Sequence, residues 1–350
     1  MKYTVFNVMF SRGLGGIEQA WADYSAMLSS QEFDVINVAH GRAVMPPQDN
    51  VKDIRLLPVS NWDLFAIWKL RRLLRKIGPR AIVCHGNRSL NLVSAAGGRP
   101  LIFVTHNYSL QNVHKAHMVF ALTEDLRQAV ISQDVDPRRV RVIPNCVDLS
   151  RATEPAGLGP DGASGRAAGE PLVIGAMGRM VAKKGFAELI AALALLRDRR
   201  AGFRAVIGGE GEEAPALSAL AKRLGVEDLI AFPGWISDKA AFFRSIDIFC
   251  LPSQHEPFGI VTLEAMAAGL PIVSTAAEGP KEILGDEATA LLAPPGNPWA
   301  LAAKLHVLLT DAPLRQRLAA AARHEAETRF DRAKVARSLG QAVREVIASW

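Results

Sequence analysis

Residues 253–269 read S-Q-H-E-P-F-G-I-V-T-L-E-A-M-A-A-G, and the rest of the chain is interpreted outward from them. They place Glu256 in a loop containing Pro and Gly, and Glu264 in a helix that opens near Gly259. The first turn of a helix leaves N–H groups unpaired and carries partial positive charge, which makes it a ready seat for a phosphate. With a diphosphate on the N–H groups of Phe258, Gly259, Ile260 and Val261, one carboxylate lies on the entry loop and the other over a turn into the helix. Each can then accept hydrogen bonds from hydroxyls on opposite sides of the phosphates. Taken alone, two glutamates at this spacing are more often a solvated loop residue and a surface helical one. Their flanks change that balance. An apolar strand at 246–251 feeds the loop and another at 271–274 follows the helix, so the loop sits at the carboxyl end of a strand, where open parallel sheets bind ligands.

Carboxylates repel a diphosphate, so a cation is required from elsewhere in the chain. The segment G-R-M-V-A-K-K-G-F at 178–186 supplies it, after a strand at 172–177 and before a helix at about 186–197. Arg179 can fork onto diphosphate oxygens and Lys184 can add a point charge. The plain alternative is a pair of exposed loop charges in a basic protein.

E-P-F-G-I-V-T-L-E-A-M-A-A-G-L-P-I-V, residues 256–273, resembles the E-x7-E region of retaining, nucleotide-sugar-dependent glycosyltransferases of family 4. The G-R-x-x-x-x-K-G pattern at 178–185 is similar to a second motif of that family. The resemblance implies an α/β architecture of the GT-B type: two Rossmann-like, doubly wound parallel-sheet domains facing a central cleft. It also implies that Glu264 binds ribose hydroxyls, Glu256 binds sugar hydroxyls near the reacting carbon, and Arg179 and Lys184 hold the pyrophosphate. On the same ground the co-substrate is a nucleotide-diphosphate sugar, with no further cofactor and no metal.

At 350 residues, with 49% hydrophobic and 22% charged side chains, the chain suits two domains, each with its own core. A net charge of +6 makes an anionic partner plausible without choosing between nucleotide diphosphate, lipid headgroup and nucleic acid. Nucleic acid is set aside, because neither a binding module nor interleaved aromatics accompany the charge. Cys84, Cys146 and Cys250 follow no zinc or redox spacing and read as core thiols of a reducing cytosol. No apolar run is long enough to span a bilayer, and residues 1–10 are too short and too β-like for a signal peptide. The expected location is the cytoplasm, with peripheral contact to the inner membrane left open.

The amino-terminal half carries weaker signals. A strand at 3–10 runs into S-R-G-L-G-G-I-E-Q and a helix ending near Leu28, the geometry for close backbone approach to a phosphate or sugar. Gly13 and Gly15 match a dinucleotide fingerprint, but Glu18 stands where close packing wants Gly or Ala, and the strand at 35–39 ends in His40 rather than an acid. In the family the glycine-rich loop faces the donor, which carries Gly15 and Gly16 over. Residues 62–77 are apolar at helical spacing, with Lys69, Arg71, Arg72, Arg75 and Lys76 on the remaining face. A basic amphipathic helix can lie on an anionic membrane. A sheet-covering helix with a solvated basic side is the preferred reading, since helix, turn and the strand at 81–84 make an ordinary α/β step.

That strand ends in H-G-N-R-S, offering His85, Asn87 and Arg88 to an acceptor, and the strand at 101–105 ends in H-N-Y. By resemblance, His106 points at the donor sugar from across the cleft. Asp134-Val135-Asp136 is set aside as a metal motif because it precedes Pro137 in a helix-to-strand turn. I-P-N-C-V-D at 143–148 resembles the family's I-P-N-G-V-D, with Cys146 where glycine is usual.

Residues 151–170 lack aromatics and read as a linker between a domain at 1–150 and one at 171–332. In the carboxyl-terminal half G-G-E-G-E-E at 208–213 suits either a nucleotide or a plain tight turn, and backbone groups of Trp235 and Ile236 are placed to hold the base. Ser237 is expected to begin a helix with Asp238 in its first turn. The family's GT-B pattern returns the last helix, from about residue 333, to the first domain. The function implied is retaining transfer of a hexose-type sugar to a glycan or lipid-linked acceptor in bacterial lipopolysaccharide or exopolysaccharide synthesis. The alternatives are a nucleotide-sugar epimerase of the same fold and a catalytically silent nucleotide-sugar-binding protein.

Overall fold

The computed structural model describes residues 2–13, 15–43, 51–149, 170–198, 202–285 and 288–350. The expected linker therefore lies outside the described residues, apart from Glu170. The chain divides into two units, Met1–Cys146 with Arg332–Trp350, and Val147–Asp331.

In the first unit the elements run β1 (Thr4–Met9), α1 (Gly16–Ser30), β2 (Asp34–His40), β3 (Lys52–Leu56), α2 (Leu64–Ile77), β4 (Ala81–His85), α3 (Gly86–Ala95), β5 (Leu101–Thr105), β6 (Met118–Ala121), α4 (Glu124–Ile131) and β7 (Val140–Val142). Among the described residues they form a parallel sheet of order β3-β2-β1-β4-β5-β6-β7. The order reverses direction between β1 and β4, the switch point of a doubly wound sheet. Helices cover both faces of such a sheet, so inner strands read as unbroken apolar runs, and every residue of Leu-Ile-Phe-Val-Thr in β5 is buried. The edge strand β3, Lys-Asp-Ile-Arg-Leu, is largely exposed, and its polar sequence gives no strand signal in advance.

The second unit continues with β8 (Leu172–Met177), α5 (Phe186–Asp198), β9 (Phe203–Gly208), α6 (Ala214–Arg223), β10 (Ile230–Ala231), α7 (Lys239–Arg244), β11 (Ile248–Leu251), α8 (Ile260–Ala267), β12 (Ile272–Thr275), α9 (Glu278–Leu284), β13 (Leu291–Ala293), α10 (Pro298–Thr310) and α11 (Ala312–Arg329). Its sheet has the order β10-β9-β8-β11-β12-β13, again parallel, with the reversal between β8 and β11. Ile174, Leu193, Ile207, Ile248 and Val273 lie in its core. α7 starts at Lys239, two residues beyond the expected Ser237, because the Asp238 side chain caps it by accepting from the Ala241 N–H at 2.8 Å.

The last helix, α12 (Arg332–Ala348), belongs to the first unit and packs on α1. Its contacts include Arg332 to Asp23 at 3.1 Å and the Arg344 guanidinium to the Gln31 carbonyl at 2.8 Å. Cys84, Cys146 and Cys250 are buried and form no disulfide with one another, and Cys146 keeps a negative φ where the family pattern has glycine.

α2 departs from the preferred sheet-covering picture. Only Ala66 and Leu70 of it are buried, while Leu64, Phe65 and Trp68 are exposed on the same side as the basic residues. Ile67, Leu73, Leu74 and Ile77 are half-buried on the same side as Ala66 and Leu70, so the expected inward apolar face is present and the departure is confined to Leu64, Phe65 and Trp68 at the amino-terminal end.

Candidate functional site

In the second unit the loops after β8 and β11 leave the sheet at the switch point, so the crevice rule places a ligand between them. Close backbone approach binds the two loops together. Gly185 has φ of +68°, and a Cβ there would come within 1.9 Å of the Pro252 carbonyl oxygen. The Gln254 N–H donates to the Lys183 carbonyl at 2.8 Å. Only glycine combines that left-handed backbone with that contact. Held in this way, Lys184 forms an ion pair with the Glu256 carboxylate, and both side chains are largely shielded from water. A buried pair of this kind needs its geometry supplied by the surroundings, because desolvation offsets much of the attraction.

The loop after β9 closes over the first of these. Gly209 and Gly211 lie so near the backbone of Gly178 and Met180 that a Cβ on either would meet a carbonyl oxygen at 1.9 or 2.2 Å. The Met180 N–H donates to the Glu210 carbonyl at 2.8 Å, and Glu213 donates back to Met180 at 3.0 Å. Gly209 and Gly211 are thus required by protein backbone, the tight-turn alternative for this stretch. Arg179 stands exposed at the outer side of this turn. Ile236 packs on Gly208, where a Cβ would meet Ile236 Cγ1 at 2.5 Å, and Trp235 is exposed beside it.

α8 begins as expected. Gly259 is its N-cap, with φ of +93° and no side-chain cap. Among the described residues no protein acceptor takes the N–H groups of Phe258, Gly259, Ile260 or Val261, so the seat for an anion is open. Glu264 lies within α8 with Oε1 accepting from Lys239 Nζ at 2.6 Å, while its Oε2 is buried with no partner. Thr262 Oγ1 and Ser253 Oγ, on the same helix and loop, are also buried without partners. Unmatched buried oxygens are costly, and a hydroxylated ligand would relieve them.

Two partners escape a reading of the sequence. Lys239 holds Glu264 from α7, and Glu278 at the start of α9 accepts from the Glu256 N–H at 3.1 Å and from His255 Nδ1 at 3.0 Å. Burial works against ionising Glu278, but these hydrogen bonds outweigh it and hold its carboxyl below the usual range. The signal in the sequence is the position of residues 276–283, A-A-E-G-P-K-E-I, just past a strand end. Gly279 packs on the backbone of Phe258, 2.5 Å from its Cα to a notional Cβ, which brings α9 in against the E-P-F loop.

In the first unit β4 and β5 lead into a pair of imidazoles. His85 closes β4, is buried, and sets Nδ1 at 2.9 Å from His106 Nε2 just beyond β5. The Tyr24 ring meets His85 edge-on at 4.9 Å between centroids. Burial drives the His106 pKa down to about 4 and, with the nearby His106 charge, drives that of His85 well below its ordinary value. Asn87 donates to the Ser109 carbonyl and hydroxyl at 2.7 and 2.8 Å, and Arg88 Nε donates to Asn61 Oδ1 at 3.2 Å, so both staple loops together. Gly15 is an extended N-cap of α1, and Gly15 and Gly16 are exposed. Glu18, the residue that breaks the dinucleotide fingerprint, is buried and accepts from the Ser11 hydroxyl, tying the glycine-rich loop to its helix. Asp136 of D-V-D caps the following turn and pairs with Arg138.

Residues 14–151 match the model of Glycosyltransferase Family 4, and residues 162–325 match that of Glycosyl transferases group 1. The chain is 36% identical over 182 residues to the lipopolysaccharide core biosynthesis glycosyltransferase LpsE of Rhizobium meliloti (strain 1021), covering 52% of this chain and 51% of LpsE. It is 29% identical over 265 residues to LpsD of the same organism, described in the same words, covering 75% of this chain and 74% of LpsD. The match thus spans about half the length of one relative and three quarters of the other. The Anabaena protein HepE, solved in complex with UDP and glucose, shares the fold with a TM-score of 0.81 over 100% of both chains at 22% identity. With the two family models running end to end over two doubly wound units, the chain belongs to the family 4, group 1 glycosyltransferases and has the GT-B fold.

Proposed function

We propose that this protein transfers a hexose-type sugar from a nucleotide-diphosphate sugar to a glycan or lipid-linked acceptor, with retention of configuration and without a metal ion. The setting is bacterial lipopolysaccharide or exopolysaccharide synthesis, in the cytoplasm at the inner face of the membrane. The observation that carries the reading is the start of α8: open N–H groups, the Lys184–Glu256 pair at the loop before it, and a buried, unpartnered Glu264 oxygen inside it. A leaving diphosphate is stabilised by charges and dipoles that are already in position. Arg179, Lys184 and the amide row fill that role here, which is why the reading requires no cation from outside. As the diphosphate takes Lys184, Glu256 is released to accept from a sugar hydroxyl, and Glu264 Oε2 accepts from ribose. Trp235 and Ile236 take the base. The same reading gives Gly15, Gly16 and His106 of the first unit to the donor, and His85, Asn87 and Arg88 to the acceptor side.

Calorimetry against a panel of nucleotide sugars tests the donor site. The expected result is a clear preference for one donor, lost in Arg179→Ala and Lys184→Ala, and undiminished by a chelator. Product analysis with an acceptor then reads the anomeric configuration. Turnover of the donor with no acceptor present would mark an epimerase, and tight binding without turnover a silent binding protein.

A further inference from the structure

Six large exposed apolar side chains of the first unit are gathered at residues 57–68. Val59 and Leu64 are each 81% exposed, Trp62 65%, Phe65 63%, Leu57 61% and Trp68 54%. Scattered exposed apolar residues are ordinary, whereas a contiguous set marks an interaction site. α2 itself carries no acidic residue. Helical spacing puts Leu64, Trp68, Arg72 and Arg75 along one line, with Phe65, Lys69 and Lys76 beside it, while Ala66 and Leu70 face inward. The cations lie against the aromatics: Lys69 Nζ is 4.3 Å from the Phe65 ring and Lys115 Nζ 5.1 Å from the Trp62 ring. Arg71 is turned back onto the Ala95 and Ala96 carbonyls, which leaves Lys69, Arg72, Arg75 and Lys76 for a partner.

We propose that this face, the loop at 57–63 with the outer side of α2, docks on an anionic lipid bilayer. Trp and Phe favour the boundary of a bilayer and Lys and Arg its charged headgroups, and here the apolar end of the helix leads into a basic end on one surface. A second copy of the chain is a poor occupant, since a two-fold contact would set basic α2 against basic α2. The proposal extends the membrane location given above and is independent of the transfer chemistry.

The test is co-flotation of the full chain with vesicles of phosphatidylcholine alone and with added phosphatidylglycerol. The protein is expected to float only with the anionic vesicles, and less so as salt rises. Two triple variants, Trp62→Ser/Phe65→Ser/Trp68→Ser and Arg72→Glu/Arg75→Glu/Lys76→Glu, should each lower partitioning by about tenfold or more with the circular dichroism spectrum unchanged. Equal flotation of the wild type and both variants overturns the proposal. So does the absence of flotation, including the case where light scattering finds a dimer that the aromatic variant dissolves. Loss of transferase activity in a wild-type protein that still floats counts against the proposed function alone.

A separate observation concerns His85. Its Nε2 is buried with no partner, while its Nδ1 faces His106 Nε2 at 2.9 Å. A buried N–H without an acceptor is rarer than a bare acceptor, so the single proton of neutral His85 belongs on Nδ1. We infer that His85 is a positioning residue: it donates to His106 Nε2 and so holds the His106 proton on Nδ1, where it serves as a hydrogen-bond donor. Nitrogen NMR of histidine-labelled protein, assigned with His106→Gln, should show His106 as the Nδ1–H tautomer, and His85→Phe should shift it to a mixture of tautomers. An Nε2–H tautomer in the wild type, or no change in His85→Phe, overturns the inference. His85→Asn, which keeps a donor at that place, should restore the tautomer.

Discussion

The two sheets run β3-β2-β1-β4 and β10-β9-β8-β11 through their switch points, the same winding in each, yet one edge holds a carboxylate–lysine pair and the other a pair of imidazoles. At the ends of β8 and β11 stand Arg179, Lys184 and Glu256, with Glu264 and Lys239 close behind, ionic groups tied by glycine-mediated backbone contacts. At the ends of β4 and β5 stand buried His85 and half-buried His106, both held neutral. In a doubly wound sheet ligands bind beyond the carboxyl ends of the strands at the switch point, and the side chains there decide what chemistry the edge can serve. A charged, stapled edge suits a diphosphate. A neutral imidazole pair suits hydroxyl groups, whose recognition needs directional donors rather than net charge.

The sharpest way to break this contrast is at Gly185. Gly185→Val adds both a strained φ and a clash with the Pro252 carbonyl, so the second unit should lose about 4 kcal/mol, read as a shifted denaturant midpoint. If the midpoint stays put, the loops are not stapled there. Next comes Glu264→Ala, which removes the proposed ribose acceptor and the carboxylate partner of Lys239. Transfer measured by nucleotide release should fall about a hundredfold, with little change in stability. Normal turnover would remove Glu264 from the donor site.

The neutral edge makes a prediction of opposite electrostatic sense. Because folding depresses the His106 pKa from 6.5 to about 4, the unfolded chain takes up a proton that the folded chain refuses. That part of the first unit's stability is present in full above pH 6.5 and is lost as pH falls through the window down to about 4. His106→Gln should flatten denaturation midpoints across that window, and an unchanged slope would mean that the pair is not kept neutral. The smallest effect is expected at Asp63, whose carboxylate accepts from Phe65 and Ala66 N–H groups at 3.0 Å to cap α2. Asp63→Ala should cost about 1 kcal/mol, seen as faster amide exchange in the first turn of that helix.

Much of this was legible beforehand, for reasons local to the chain. Buried parallel strands announce themselves as apolar runs, and Leu101–Thr105 and Leu172–Met177 were placed without error. The helix start at Gly259 was legible from glycine before an apolar run. β3 was not, because an exposed edge strand needs no apolar pattern. The outward aromatics of α2 were not, because periodicity gives a helix its stripes without saying which stripe meets a neighbour. Nor were Lys239 against Glu264 or Glu278 against Glu256, which are brought together from separate strand ends.

Sequence alone determined the doubly wound units, the glycines at the turns and the stock of charged and imidazole groups at the strand ends, since period, turn chemistry and helix starts depend on near neighbours along the chain. The partnerships were decided only by tertiary structure: Lys184 with Glu256, His85 with His106, Gly209 against Gly178 and the aromatics of α2 toward solvent. Such pairings depend on strand order and on backbone approaches of a few ångströms between distant segments. Neither quantity is written in any local stretch of residues.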